Sequence, residues 1–88
     1  MTTQESLIEY PCDFPIKVFG EARQDFAQAI AIVVQEHAPD FDAASIEMRS
    51  STGTKYLSLT CTIRVTSREQ LDNLYRDLSS HPMVKMVL

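Results

Sequence analysis

The stretch Tyr56–Val65 alternates without interruption between apolar and polar side chains. Successive side chains of a β-strand point to opposite faces, so this stretch predicts a strand with one buried face and one face in water. Its inward residues are Leu57, Leu59, Cys61, Ile63 and Val65. Two residues later the period changes, because Ser67 and Gln70 form a capping-box pattern. Apolar residues then follow at helical spacing, at Leu71, Leu74, Tyr75 and Leu78. A one-faced strand that leads into an amphipathic helix predicts a sheet with helices on one side only.

Length and composition predict a single domain of the ordinary globular class. The chain has 88 residues, of which 44% are hydrophobic and 23% are charged, and splitting it would leave halves too small to bury a core. We expect residues 1–6 to be disordered, residues 7–13 to be a docked extension, and residues 14–88 to form the core. No apolar run approaches the roughly 20 residues of a membrane helix and no signal sequence opens the chain, so we expect a cytoplasmic protein.

The rest of the chain predicts three more strands and a second helix. A first strand begins at Phe14 and is ended by Gly20, and a helix is predicted over 21–37 with Glu21 at its positive start. The inner stripe of this helix is Ala22, Phe26, Ala29, Ile30 and Val33. A second strand points Ile46 and Met48 inward, and residues 50–54 form a hairpin connection. In a final short strand, Val84 and Met86 alternate with Lys85 and Val87.

This element order, β-α-β-β-α-β, predicts a ferredoxin-like α+β sandwich. Two β-α-β halves joined by a hairpin, with right-handed crossovers, give a four-stranded antiparallel sheet in the order 4-1-3-2 with two helices on one face. The fold hosts many unrelated functions, so function has to be argued from particular sites.

No catalytic, metal or cofactor signature is present in the sequence. Cys12 and Cys61 do not make a disulfide framework or a metal motif. His37 and His81 are the only histidines, and they end helices whose C-termini are predicted to lie on opposite edges of the molecule. Glycine-rich phosphate loops and nucleophile elbows are also missing. We therefore predict that the protein is not an enzyme and that it has no cofactor and no metal site.

The exposed side of the predicted sheet gathers half of the basic residues of the chain, with only Glu47 predicted to oppose them. The candidate contact residues of this face are Lys17, Phe19, Arg49, Tyr56, Arg64 and Lys85. Such a face suits a protein or a nucleic acid. The net charge of −4 argues against generic nucleic-acid binding, and residues 54–59 lack the glycine and paired aromatics of the RNA-binding version of this sandwich.

A second candidate site follows from the topology. The end of the first strand, the start of the first helix, the hairpin and the end of the second helix should meet at one edge. The candidate ligand-binding residues there are Gly20, Ser50, Ser51, Gly53, Lys55 and His81. The free amides of a helix start favour a small anion or an amino acid, although the Glu21 carboxylate would compete for the same field. A hairpin rich in turn-forming residues for purely structural reasons is the alternative.

These residues also carry a family resemblance over almost the whole chain. The segments concerned are Leu7–Pro11, Pro15–Gly20, Val34–Pro39, Ser50–Tyr56 and Val84–Leu88. In their order and spacing they resemble the YbeD-like family of small bacterial proteins of unknown function. The resemblance implies the split β-α-β fold, similar to ACT domains, which sense amino acids and regulate metabolic enzymes. It also implies that the gene lies near genes for lipoate attachment. No catalytic residues are established for the family, so the resemblance assigns none to this chain.

The leading hypothesis is a non-enzymatic, ACT-like regulatory or interaction module. It would bind a small anionic or amino-acid ligand at the hairpin edge, or a protein partner such as a metabolic enzyme, for example a lipoate-related one. The alternative is a nucleic-acid-binding accessory protein that uses the basic sheet face. We expect no membrane contact, and a monomer or a weak homodimer paired through an edge strand.

Overall fold

Two interleaved β-α-β units form the fold in a computed structural model, which describes residues 10–50 and 55–88. The elements are β1 Cys12–Glu21, α1 Phe26–His37, a short 3-10 turn Ala43–Ser45, β2 Glu47–Ser50, β3 Tyr56–Val65, α2 Arg68–Ser80 and β4 Val84–Val87. The sheet order is β2-β3-β1-β4, with antiparallel neighbours throughout. This is the predicted order, and the ferredoxin-like architecture is confirmed. Neither α1 nor α2 has the length and apolarity that crossing a bilayer requires.

The residues that the sequence predicts to face inward on β3 and α2 form much of the core. All five inward residues of β3 are buried, and so are Leu71, Leu74 and Leu78 of α2. The Ser67 side chain accepts a hydrogen bond from the Gln70 N–H at 3.1 Å, which caps the helix as predicted. The Gln70 side chain in turn accepts from the Thr66 N–H and donates to the His37 carbonyl. The start of α2 is therefore tied to the end of α1.

The first helix begins five residues later than predicted, at Phe26. The reason is that β1 continues through Gly20 and Glu21, which pair with Leu57 and Tyr56 of β3. Glu21 therefore lies on a strand and not at a helix start. The inner stripe is also rotated, because Ala22 lies outside the helix and is exposed. Phe26, Ile30, Ala31 and Val34 are buried, whereas Ala29 and Val33 are only half-buried. At its other end β1 begins at Cys12, two residues before the predicted start.

Each of the two edge strands leaves a methionine exposed. Met48 pairs with Leu59 and so lies on the helix side of the sheet, yet it is 54% exposed. In β4 an irregularity opposite Phe19 and Gly20 shifts the register, so that Met86 pairs with Phe19 on the open side of the sheet. Met86 is 50% exposed there. The prediction that Met48 points inward is confirmed, although its side chain stays half exposed. The prediction that Met86 shares a face with Val84 is wrong.

Candidate functional site

The predicted edge cluster lies at one end of the sheet. Ser50, Leu57, Gly20 and Val84 follow one another across the four strands in register. Just beyond this row, the Lys55 carbonyl accepts a hydrogen bond from the Ala22 N–H. His81 precedes β4, and its carbonyl accepts from the Val84 N–H at 3.0 Å. The structure thus brings Gly20, Ser50, Lys55 and His81 to the same end, while Ser51 and Gly53 lie outside the described residues.

Two of these residues have structural reasons for their positions. A β-carbon at Gly20 would collide with the Met83 carbonyl oxygen and the Phe26 ring, so the glycine makes room for packing. The Nδ1 atom of His81 accepts from the Met83 N–H at 3.1 Å and closes the turn into β4. The predicted helix start is also displaced, since α1 begins at Phe26 and not at Glu21. The binding of a small anion at this edge stays a prediction.

A shallow open pocket of about 380 Å³ lies beside this edge. Its lining residues are Glu21, Ala22, Arg23, Lys55 and Tyr56. Arg23 contacts Asp25 at 3.4 Å, and Glu21 contacts Lys85 at 3.8 Å. Lys55 has no ion-pair partner within residues 10–50 and 55–88. The pocket presents one carboxylate and two cations, which suits a zwitterion better than a simple anion.

The open side of the sheet carries an apolar group of side chains that we call the open-face patch. Met86 lies opposite Phe19 in the β1–β4 ladder. Tyr56 lies on β3, diagonally opposite Phe19 on the neighbouring strand. Leu88 exchanges two main-chain hydrogen bonds with Lys17, at 2.8 and 3.1 Å, so its side chain shares the open face with that lysine. The patch therefore consists of Phe19, Tyr56, Met86 and Leu88. The last three are 48%, 50% and 61% exposed.

The charges around the open-face patch are less one-sided than predicted. Arg64 contacts Asp13 at 3.8 Å, and Lys85 contacts Glu21 at 3.8 Å. Asp13 and Glu21 join Glu47 on this face because they pair with Arg64, Tyr56 and Thr60. The prediction that only Glu47 opposes the basic residues is therefore wrong. Lys17 and Arg49 have no ion-pair partner in the described part of the chain. A face with this mixture of signs is a weak basis for binding phosphates, and the nucleic-acid alternative stays a prediction.

Sequence reasoning missed a group of potential metal ligands between the helices. Ligand atoms of Glu36, His37 and Asp77 all lie within 4.8 Å of one another. His37 Nε2 and Asp77 Oδ2 are 2.6 Å apart, and this contact joins the end of α1 to α2. An imidazole with two carboxylates suits a transition metal, but the short contact would have to open first. The adjacent Glu36 and His37 were visible in the sequence, whereas Asp77 is brought to them only by helix packing.

Cys61 is not an activated nucleophile. Burial raises the pKa of the Cys61 thiol to about 11, so the thiolate is scarce at neutral pH. Cys12 is half-buried at the start of β1. Burial also raises the pKa of the Tyr75 hydroxyl. No charged side chain is buried within residues 10–50 and 55–88.

The sequence matches a protein family and is similar to known bacterial proteins. The family model described as a protein of unknown function, DUF493, matches residues 5–88. The UPF0250 protein of Nitrosomonas europaea is 59% identical over 98% of this chain and 99% of its own length. A UPF0250 protein of Bordetella pertussis is 61% identical over 97% and 93% of the two chains. Both support the family resemblance drawn from the sequence.

Solved structures show the same fold at low sequence identity. Protein HP0495 from H. pylori superposes with a TM-score of 0.76 at 15% identity, covering 100% of this chain and 94% of its own. The ACT domain from GTP pyrophosphokinase of Chlorobium tepidum superposes with a TM-score of 0.63 at 20% identity, covering 86% and 84% of the two chains. The ACT-like fold is thereby confirmed.

Proposed function

Because the chain belongs to the DUF493 family, whose function is unknown, we propose a function from its own surfaces: it is a non-enzymatic, ACT-like interaction module that binds a protein partner through the open-face patch. The wider description, an uncharacterised family member with an ACT-like fold, rests on the comparisons. The binding function rests on the arguments that follow.

The observation that carries the proposal is the clustering of exposed apolar side chains. Five large hydrophobic side chains of the described residues are exposed, and three of them, Tyr56, Met86 and Leu88, lie on the open face. Scattered exposed hydrophobics are ordinary, whereas a contiguous group rimmed by polar residues is typical of a protein contact. Aromatic residues and methionine are also enriched at the centres of such interfaces.

The rim of the patch indicates what kind of partner it fits. Lys17 and Arg49 have no acidic partner within the described residues, so they are available to form ion pairs with carboxylates of a protein partner. Complementary rim charges chiefly speed association and exclude wrong partners. An ACT domain of this fold belongs to an enzyme, GTP pyrophosphokinase, which supports a metabolic enzyme as the partner, and a lipoate-attaching enzyme is the first to test.

The absence of enzyme activity is part of the proposal. Cys61 is buried with a raised pKa, and its location between the sheet and the helices keeps substrates away. The one group of histidine and carboxylates found in the described residues joins two helices by a direct contact. Neither arrangement resembles a nucleophile held by a base and an orienting group.

A pair of matched double variants tests the proposal. Lys17→Glu with Met86→Gln reverses one cation and removes one apolar side chain from the open face. Arg76→Glu with Ile32→Gln makes the same two changes on the helices, where Ile32 is 54% exposed. We expect affinity capture from cells of the source organism to recover a partner with the wild type and the helix variant, and calorimetry to show at least about tenfold weaker binding for the open-face variant. Equal binding by both variants would refute the open-face site.

The pocket beside Lys55 supports a second candidate, a small zwitterionic ligand. Its single carboxylate and two cations match the amino and carboxylate groups of an amino acid. Titration of ¹⁵N-labelled protein with amino acids, lipoate and nucleotides should move the amide signals of Ala22, Lys55 and Tyr56. Lys55→Gln should abolish the shifts, and shifts that survive this change would place the ligand elsewhere.

A further inference from the structure

Three potential metal ligands meet where the end of α1 packs against α2. Glu36 and His37 are the last two residues of α1, and Asp77 lies near the end of α2. One ligand atom of each side chain lies within 4.8 Å of the other two. His37 and Asp77 are 40 positions apart in the chain, so helix packing makes this cluster. It offers one imidazole nitrogen and two carboxylate oxygens.

The imidazole of His37 is held in place by contacts at two points of α2. The Gln70 side chain donates to the His37 carbonyl at 2.7 Å, and it accepts from the Thr66 N–H. Helical side chains tilt toward the N-terminus of their helix, so the imidazole reaches away from Gln70 and contacts Asp77. These two positions of α2 lie about 10 Å apart along the helix axis. Little further ordering is needed for the imidazole to bind a ligand.

The charges around the cluster favour a cation. His37 is the last residue of α1, where the negative end of the helix dipole lies. Glu36 has no ion-pair or hydrogen-bond partner within residues 10–50 and 55–88, and the Asp77 carboxylate has no ion-pair partner there except His37. Arg76, the neighbour of Asp77 in the chain, donates to Asn73 instead. The carboxylates are therefore not neutralised by a lysine or an arginine of the described residues.

The separations suit an ion of the size of zinc after a small side-chain movement. Zinc binds nitrogen and oxygen at about 2.0–2.2 Å, so two ligands at a tetrahedral angle lie about 3.4 Å apart. The His37 Nε2 to Asp77 Oδ2 contact is 2.6 Å, and it has to lengthen by about 0.8 Å to reach that separation. Glu36 is exposed and the Asp77 side chain is 50% exposed. Packing therefore does not prevent either carboxylate from rotating onto an ion.

The types of ligand atom decide which ion fits. Calcium and magnesium take oxygen ligands, whereas an imidazole nitrogen favours zinc and the transition metals near it. We propose that Glu36, His37 and Asp77 bind one zinc ion, or a divalent ion of the same chemistry, which joins the end of α1 to α2. The sequence predicted no metal site, because only packing brings Asp77 to the other two ligands. The site lies in the helix layer and is independent of the open-face patch and of the proposed function.

Calorimetric titration of the full chain with zinc chloride tests the site. We expect saturable binding of one ion per chain. Glu36→Gln and Asp77→Asn should each weaken this binding at least about tenfold, and His37→Gln should abolish it. Two matched controls make the same changes elsewhere, Glu47→Gln on β2 and His81→Gln after α2. Both controls should bind zinc as the wild type does.

Glu36→Gln is the decisive variant, because Glu36 is exposed and takes no part in the contact between His37 and Asp77. Without metal we expect this variant to keep the wild-type circular dichroism and melting temperature. Zinc should raise the melting temperature of the wild type and raise that of Glu36→Gln less. In long-range ¹⁵N spectra, zinc should shift the imidazole nitrogen signals of His37 and leave those of His81 in place.

Three results would overturn the proposal. The first is a wild type that shows no saturable binding at millimolar zinc. The second is equal affinity of Glu36→Gln and the wild type, which would place the ion elsewhere. The third is displacement of zinc by an equal concentration of magnesium, which would mean that oxygen ligands alone hold the ion.

Discussion

Leu59 and Met48 lie opposite each other on neighbouring strands and on the same face of the sheet. Leu59 is fully buried, whereas Met48 is 54% exposed. Both strands show the same alternation of apolar and charged or polar residues, so the pattern does not separate them. Alternation therefore fixes which way a side chain points, whereas the extent of the helix layer decides whether that side chain is covered.

The same contrast holds for the whole centre and the edges of the sheet. β1 and β3 pair along ten residues each, whereas β2 pairs through four. The long central ladder and its helices form the core, and we expect it to carry the stability. The helices leave Met48 of β2 and Met86 of β4 exposed, and Met86 belongs to the open-face patch.

The largest expected effect comes from truncating the central member of this pair. Leu59→Ala removes a fully buried side chain and leaves a cavity between the sheet and the helices. We expect the free energy of unfolding to fall by about 2–5 kcal/mol, measured by guanidinium titration. A loss below about 1 kcal/mol would show that the centre is not the rigid core we describe.

Gly20→Ala tests the packing at the end of the central ladder. The added methyl group would meet the Met83 carbonyl and the Phe26 ring. Overpacking of this kind typically costs about 1–3 kcal/mol. In the double variant with Phe26→Leu the smaller side chain relieves part of the collision, so the two changes should cost less together than the sum of the single variants. Strict additivity in a double-mutant cycle would argue against the contact.

The pH dependence of stability at Cys61 tests whether water is excluded from the core. Burial raises the pKa of its thiol from 9.0 to about 11. A pKa that is higher in the folded state gives stability that is present below pH 9 and is lost as the pH rises toward 11. We expect the advantage of the wild type over Cys61→Ala to shrink by on the order of 1–2 kcal/mol between pH 8 and pH 11. Tyr75 and the lysines titrate in both proteins, so their contributions cancel in the difference between the two free energies of unfolding. A difference that stays constant with pH would mean that the thiol is hydrated.

Much of the fold could be predicted because local signals and tertiary packing agree. The β3 alternation and the Ser67 cap are local, and both appear in the structure as the sequence indicates. The start of α1 could not be placed, because pairing of Glu21 with Tyr56 extends β1 into a segment that is also suited to a helix. Met86 was misplaced because an irregularity in the β1–β4 ladder leaves no mark in the pattern of β4.

The candidate sites were harder to predict because they depend on pairing between distant segments. Topology alone brings Gly20, Ser50 and Lys55 to one end of the sheet. The neutralisation of Arg64 by Asp13 could not be foreseen, since Asp13 was assigned to a docked extension and not to β1. The contact of His37 with Asp77 likewise requires the packing of two helices that are far apart in sequence.

A smaller effect is expected at the start of α2, which follows directly on the central strand β3. Ser67→Ala removes the acceptor for the Gln70 N–H, and the loss of such a cap costs about 1 kcal/mol. Ser79→Ala, at an exposed position of the same helix, is the matched control and should leave the free energy of unfolding unchanged or slightly raised, since alanine favours helix. Equal losses in both variants would assign the effect to something other than capping.

The smallest effect is expected at the edge partner of Leu59. Met48→Ala should change the free energy of unfolding by no more than about 0.5 kcal/mol, because the side chain is 54% exposed. A loss as large as that of Leu59→Ala would mean that the helix layer covers β2, and the contrast between centre and edge would then be wrong.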